Sequence, residues 1–302
     1  MATSRRTATN ENISTYGTAG RDYTSLDTWE AATDIDLVTA TQSEVLECYD
    51  DAAEFDDNVG MAGATTNASY FRIIRPAGTI GDAGWQGHDG TPNNGFKIHN
   101  TAGSQQAIDI NEAYSSAQDI IIQQTNPDSS TTPGLNADGG FNLLVGMILV
   151  DITSGDGTAR GVVLQGEAIA VNCISIRVDT RGFLADNDAS DESYYLNCTA
   201  IDCDVGFEIF SGALVYWINC LADGSISIDF GTTATVSQNN ASSDGTATGT
   251  GSRTNQTFTF VNAGNDDYHL ASNDAGARTF GQDLSAYGVF AFDDDIDGQL
   301  RS

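Results

Sequence analysis

The chain has 302 residues, of which 40% are hydrophobic, and its 42 acidic residues against 12 basic ones give a formal net charge of −30. A surface of that sign repels nucleic acid and anionic membrane faces, so neither is an expected partner. No run approaches the roughly 18 to 20 unbroken apolar residues of a membrane helix, while the length allows one elongated domain with a sizeable core.

The first 20 residues read as an N-terminal arm; they carry Arg5 and Arg6 but no apolar stretch behind them, so no secretory signal is expected, and the product, made in the host cytoplasm, stays there or leaves by another route such as cell lysis. Residues 21–45 read as a capping helix and a lead-in strand. Within them, 23–32 form a helix with Ser25 or Thr24 as its cap and Leu26, Trp29 and Ala32 as its buried stripe. Its natural place is over the open first rung of a stacked coil, whose free strand edge would otherwise template aggregation. Convincing long helices are absent.

Residues 46–240 read as the body of that coil. Short β-branched runs bounded by Gly, Asn, Asp or Ser recur at Phe71-Arg72-Ile73-Ile74, Gly95-Phe96-Lys97-Ile98, Ala107-Ile108-Asp109-Ile110, Ile120-Ile121-Ile122 and Met147-Ile148-Leu149-Val150. Residues 124–140, holding Pro127 and Pro133, read as irregular. Beyond residue 161 the chain repeats itself about every 22 residues. Val171-Asn172-Cys173-Ile174, Leu196-Asn197-Cys198-Thr199 and Ile218-Asn219-Cys220-Leu221 superpose, with Gln238-Asn239-Asn240-Ala241 as a weaker fourth. Between them runs a second series, Gly161-Val162, Gly182-Phe183 and Gly206-Phe207, so that two strands per repeat are implied.

A strand of four or five residues cannot bury its inner face alone, so each rung needs its neighbours, and equivalent residues then stack. Asn172, Asn197 and Asn219 are expected to form a ladder, because a side-chain amide both donates and accepts along such a column. Cys173, Cys198 and Cys220 are expected beside them as reduced, buried thiols. Residues 241–302 read as a loop and a closing cap, the Ser/Thr/Gly/Ala/Asn stretch 241–255 marking the end of the regular coil.

The closing stretch, Phe260-Val261-Asn262-Ala263-Gly264, Asp267-Tyr268-His269-Leu270 and Asp295-Ile296-Asp297-Gly298-Gln299, resembles the last segment of right-handed parallel β-helix repeat proteins. With the opening Arg21-Asp22-Tyr23-Thr24-Ser25-Leu26-Asp27-Thr28-Trp29-Glu30 it looks like a type frequent in phage genomes. Ser272-Asn273-Asp274-Ala275-Gly276 departs from the family's usual Ser-Pro-Ala-Ile-Asp run. The resemblance implies an all-β, single-stranded right-handed parallel β-helix with a short N-terminal capping helix and a C-terminal non-repeat cap.

Chemistry is sparse. A glycosidase needs two carboxylates at a set separation, and the densest acids are Asp186, Asp188, Asp191 and Glu192, with Glu208 a rung away. In so acidic a chain such clusters arise by chance, so no catalytic residue is assigned and an inert protein is the expectation. A lyase would need bases, and only Arg160, Arg177 and Arg181 gather near the rungs. His88, His99 and His269 lie far apart, and the cysteines recur at rung distance rather than at zinc-ligand spacing. No cofactor is expected; the alternative is a divalent cation such as calcium on Asp293, Asp295 and Asp297, a stretch lacking the EF-hand glutamate.

Together these features read as a phage virion structural protein on the outer particle surface, a homotrimeric capsid decoration or cement protein whose partners are itself and the major capsid or other virion proteins. The alternative is a tail spike or fibre protein that binds, and in an active form cleaves, host surface polysaccharide. Exposed aromatics beside paired carboxylates would separate the two, with Tyr194, Tyr195, Tyr216 and Trp217 the rings to watch.

Overall fold

The computed structural model describes residues 6–284 apart from 127, 129–131, 189, 212 and 213. Among these, three parallel sheets wind into a β-solenoid of about seven turns. The first sheet has nine strands, from Glu11–Tyr16 to Val236–Gln238; the second has seven, from Lys97–Asn100 to Ala241–Ser242; the third has seven, from Val59–Met61 to Ile228–Phe230. The coil therefore starts inside the segment read as an arm, since Glu11–Tyr16 pairs in register with Ser43–Cys48 and the helical residues are a long connection between these two strands.

Each turn uses three strands, not the two that the repeat implied. The Asn-Cys motifs straddle a corner: Ala168–Val171 ends one strand, Asn172 turns the chain, and Ile174–Val178 begins the next sheet. Asn172, Asn197, Asn219 and Asn239 all take the left-handed conformation, with φ between 53° and 57°. Asparagine tolerates that region better than residues with larger or branched side chains. Upstream, Asp119 (φ 55°) and Gly146 (φ 60°) turn the same corner.

The interior is filled by columns. Val162, Phe183, Phe207 and Phe230 stand in register on the third sheet. The rings stack at 4.8 Å between Phe183 and Phe207 and 4.9 Å between Phe207 and Phe230, close to the strand spacing of roughly 4.8 Å. The repeated glycines before them have a steric cause, since a Cβ at Gly161 would sit 2.4 Å from the Gly182 carbonyl and one at Gly206 2.5 Å from that of Asp229.

The expected helix is Leu26–Thr33, with Leu26, Trp29 and Thr33 buried; Ala32 is exposed. Ser25 holds the cap position without a side-chain bond, and the Asp57 carboxylate accepts from the Leu26 N–H at 2.9 Å instead. A buried guanidinium ties the helix to the coil: Arg72 donates to Glu112, to the Glu30 side chain and to the Ala62 carbonyl.

Residues 241–255 add a last small polar turn, bridged to the coil at Gln238 with Thr250 and at Ala241 with Arg253. Residues 256–284 then run along the side of the solenoid rather than over its end. The antiparallel pair Phe260–Asn262 and Asp267–Leu270 lays Phe258, Phe260, Tyr268 and Leu270 against Ile121, Ile148, Ile174, Ile176 and Leu221 on the outer face of the second sheet. Strands of a parallel sheet are apolar on both faces, so this outer face needs cover and the chain supplies its own. The strap then crosses the asparagine corner, where Asn219 accepts from the Gln282 N–H at 2.8 Å and donates to its carbonyl at 2.9 Å, and seats Leu284 against Val145, Val171, Leu196 and Ile218 on the first sheet.

Candidate ligand groove

Residues in and just before the strands of the first sheet build a cleft of ≈ 580 Å³ whose wall includes Phe71, Tyr114, Phe141, Glu167, Glu192 and Tyr194. Four of these occupy one position of successive turns. Tyr114, Phe141, Glu167 and Glu192 each stand five residues before a corner residue, at 119, 146, 172 and 197. The strands carry them side by side, as Asn142 pairs with Ala168 and Ala168 with Ser193.

The Tyr114 and Phe141 rings are parallel within 12° and 5.1 Å apart, and Phe141 is 55% exposed. Both residues are held at positive φ, 64° and 62°. For bulky side chains this is a strained backbone, of the kind that persists where the surroundings impose it and that clusters at functional sites. A second pair, Tyr194 over Tyr216, stacks at 4.3 Å and 11°. Their hydroxyls donate to Glu192 at 2.5 Å and 3.3 Å. Burial, followed by the bond to Glu192, pushes the Tyr194 pKa up, so the phenol stays a donor. At the low end, Arg6 lies 3.8 Å over the Phe71 ring and donates to the Tyr114 carbonyl. Burial brings its pKa down to about 10, which leaves it cationic at neutral pH.

The acids singled out from sequence fall in separate places. Of them, Glu192 alone lines the groove. Glu208 lies on the third sheet as the partner of Arg181, whose guanidinium also sits 4.4 Å over Phe210. Asp188 is exposed in a turn closed by the Asp191 N–H on its carbonyl at 3.1 Å, and Asp186 donates its N–H to Leu164 at 3.0 Å. Tyr195 and Trp217 point inward and are fully buried, while Tyr194 and Tyr216 point outward. Asn197 donates to Asn172 at 3.2 Å and Asn219 to Asn197 at 3.0 Å. Cys173, Cys198 and Cys220 are buried free thiols, and in the next turn the buried Asn240 takes their place, accepting from the Cys220 N–H at 2.8 Å. Asp293, Asp295 and Asp297 lie outside the described residues. Among those described, no three His, Cys, Asp or Glu side chains converge as a metal site would.

Arg6, Phe71, Tyr114, Phe141 and Glu167 were not singled out from sequence. For Tyr114, Phe141 and Glu167 the signal is the constant offset from the corner, hidden because the residue type changes from turn to turn; Arg6 and Phe71 carry no such repeat. Comparison with protein-family models, with curated proteins and with solved structures finds no match. Fold and groove define an all-β parallel solenoid with an aromatic cleft along one outer face.

Proposed function

We propose that this chain is a structural solenoid of the right-handed, phage-associated type, displayed as a homotrimer on the outside of a virion, and that its groove binds host surface polysaccharide. The observation that carries the binding half is the groove itself: the stacked Tyr114–Phe141 pair, strained and strongly exposed at Phe141, with Tyr194 and the carboxylates of Glu167 and Glu192 in the same wall. Sugar rings present flat C–H faces that stack on aromatic rings and hydroxyls that bond to carboxylates, and sites of this size usually combine apolar walls with few polar groups. The virion half rests on the resemblance of both chain ends.

Binding of purified host envelope polysaccharide to the full chain tests the first half. Phe141→Ala with Tyr194→Ala should abolish retention while circular dichroism stays unchanged; retention undiminished in the double variant would remove the groove as the site. Light scattering reads the oligomer, and a trimer mass is expected. Labelled virions imaged at low resolution should carry the label over the capsid; label confined to the tail would replace decoration by a spike.

A further inference from the structure

We infer that the groove selects a glycan carrying protonated amino sugars over a neutral or uronic one; this rests on the polysaccharide-binding reading above. Three observations point the same way. Glu167 and Glu192 stand on adjacent turns of one wall, so two carboxylates share a short length of the same cleft. They are not equivalent. Glu192 is engaged by Tyr194 and Tyr216, whereas the Glu167 side chain, half-exposed, has no hydrogen-bond or ion-pair partner among the described residues. Beside it in the same wall lie Tyr194 and the strongly exposed Phe141 ring, and aromatic rings attract cations.

Arg6, the one cation of the wall among the described residues, does not neutralise this pair. Arg6 is packed on Phe71 and bonded to the backbone of Tyr114, two turns below Glu167 in the column 114, 141, 167. An ammonium on a pyranose would therefore meet a carboxylate able to take it and rings able to flank it, while the sugar faces stack on the same rings. A uronate would be repelled here and by the net charge of −30.

The test is calorimetry with the full chain in mildly acidic, low-salt buffer, using a glucosamine hexamer, an N-acetylglucosamine hexamer, a galacturonate hexamer and a lysine hexapeptide. The glucosamine oligomer should bind about tenfold or more tighter than the acetylated one, the difference that one charge-assisted hydrogen bond makes. Glu167→Gln should bring the two within about twofold, and Phe141→Ala should abolish sugar binding without altering the weak, salt-sensitive uptake of the peptide. Equal or tighter binding of the acetylated oligomer overturns the amino-sugar inference and leaves polysaccharide binding standing. Failure of all three sugars to bind sinks both. Glucosamine binding that Phe141→Ala and Glu167→Gln leave intact, at peptide-like affinity, reduces the effect to general attraction by an acidic surface and overturns the inference as well.

Discussion

At the corner of each turn one backbone conformation and one amide do separate jobs. Asn197 tolerates its φ of 54° and links Asn172 below to Asn219 above. Gly146 turns the same corner without a side chain, so the conformation and the ladder can be pulled apart. Asn197→Gly loses two hydrogen bonds, about 1–3 kcal/mol; Asn197→Ala loses the same bonds and forces a Cβ into the left-handed region, about 1 kcal/mol more. Urea unfolding should rank wild type above Gly above Ala, and equal losses for Gly and Ala would show that backbone strain plays no part. The neighbouring thiols make a second expectation. Burial pushes Cys203 and Cys220 up to about 12 and Cys198 upward as well. Thiolate is the reactive form, so all five cysteines, each of them buried, should resist alkylation in the native chain and react on unfolding, as counted by mass spectrometry. A thiol modified rapidly in the folded protein would contradict the packing described.

Legibility in the sequence depended on how chemically uniform each column is. Asn172, Asn197 and Asn219 repeat one residue type, so their spacing exposed the coil, yet the same corner is Asp119 and Gly146 earlier and the pattern faded there. The groove column changes from aromatic to acid between Phe141 and Glu167 and gave no visible repeat. The strap was hidden for another reason. Its contacts join residues far apart in the chain, as Arg177 with Asp266 and Asn93 with Asn265, and no local pattern encodes them. One carboxylate organises its return: Asp274 accepts from Thr259 at 2.7 Å, Ala277 at 2.8 Å and Arg278 at 3.0 Å. Burial acts to raise the Asp274 pKa, but these backbone N–H groups outweigh it and hold the pKa below the ordinary carboxylate value. A folded pKa below the unfolded one adds stability that is present above about pH 4 and is lost as pH falls through the folded value. Limited proteolysis should therefore release the strap faster at pH 3 than at pH 7. In Asp274→Asn, cleavage should be fast at both and the pH difference smaller; an equal pH response in variant and wild type would exclude Asp274 as its origin.

The whole molecule sets a packed apolar column against a surface of one sign. Neutralising contacts among the described residues are few for a net charge of −30: Arg21, Arg72, Arg75, Arg177 and Arg181 pair with acids, but 12 basic residues cannot supply a cation to each of 42 acidic ones. The resulting self-repulsion favours the unfolded chain, where the same charges lie farther apart. Sodium chloride shortens the reach of these charges from about 30 Å at 0.01 M to about 3 Å at 1 M, so the melting temperature should rise across that range, by roughly 2 °C for each kcal/mol recovered. The buried Arg72–Glu112 pair is shielded from solvent and contributes little to the slope. The same titration should weaken glucosamine binding, because there the charges attract. Stability rising with salt while amino-sugar affinity falls is the joint signature of an acidic solenoid with a cation-selecting groove; a melting temperature that falls with salt would mean that attractive pairs, not repulsion, dominate the surface.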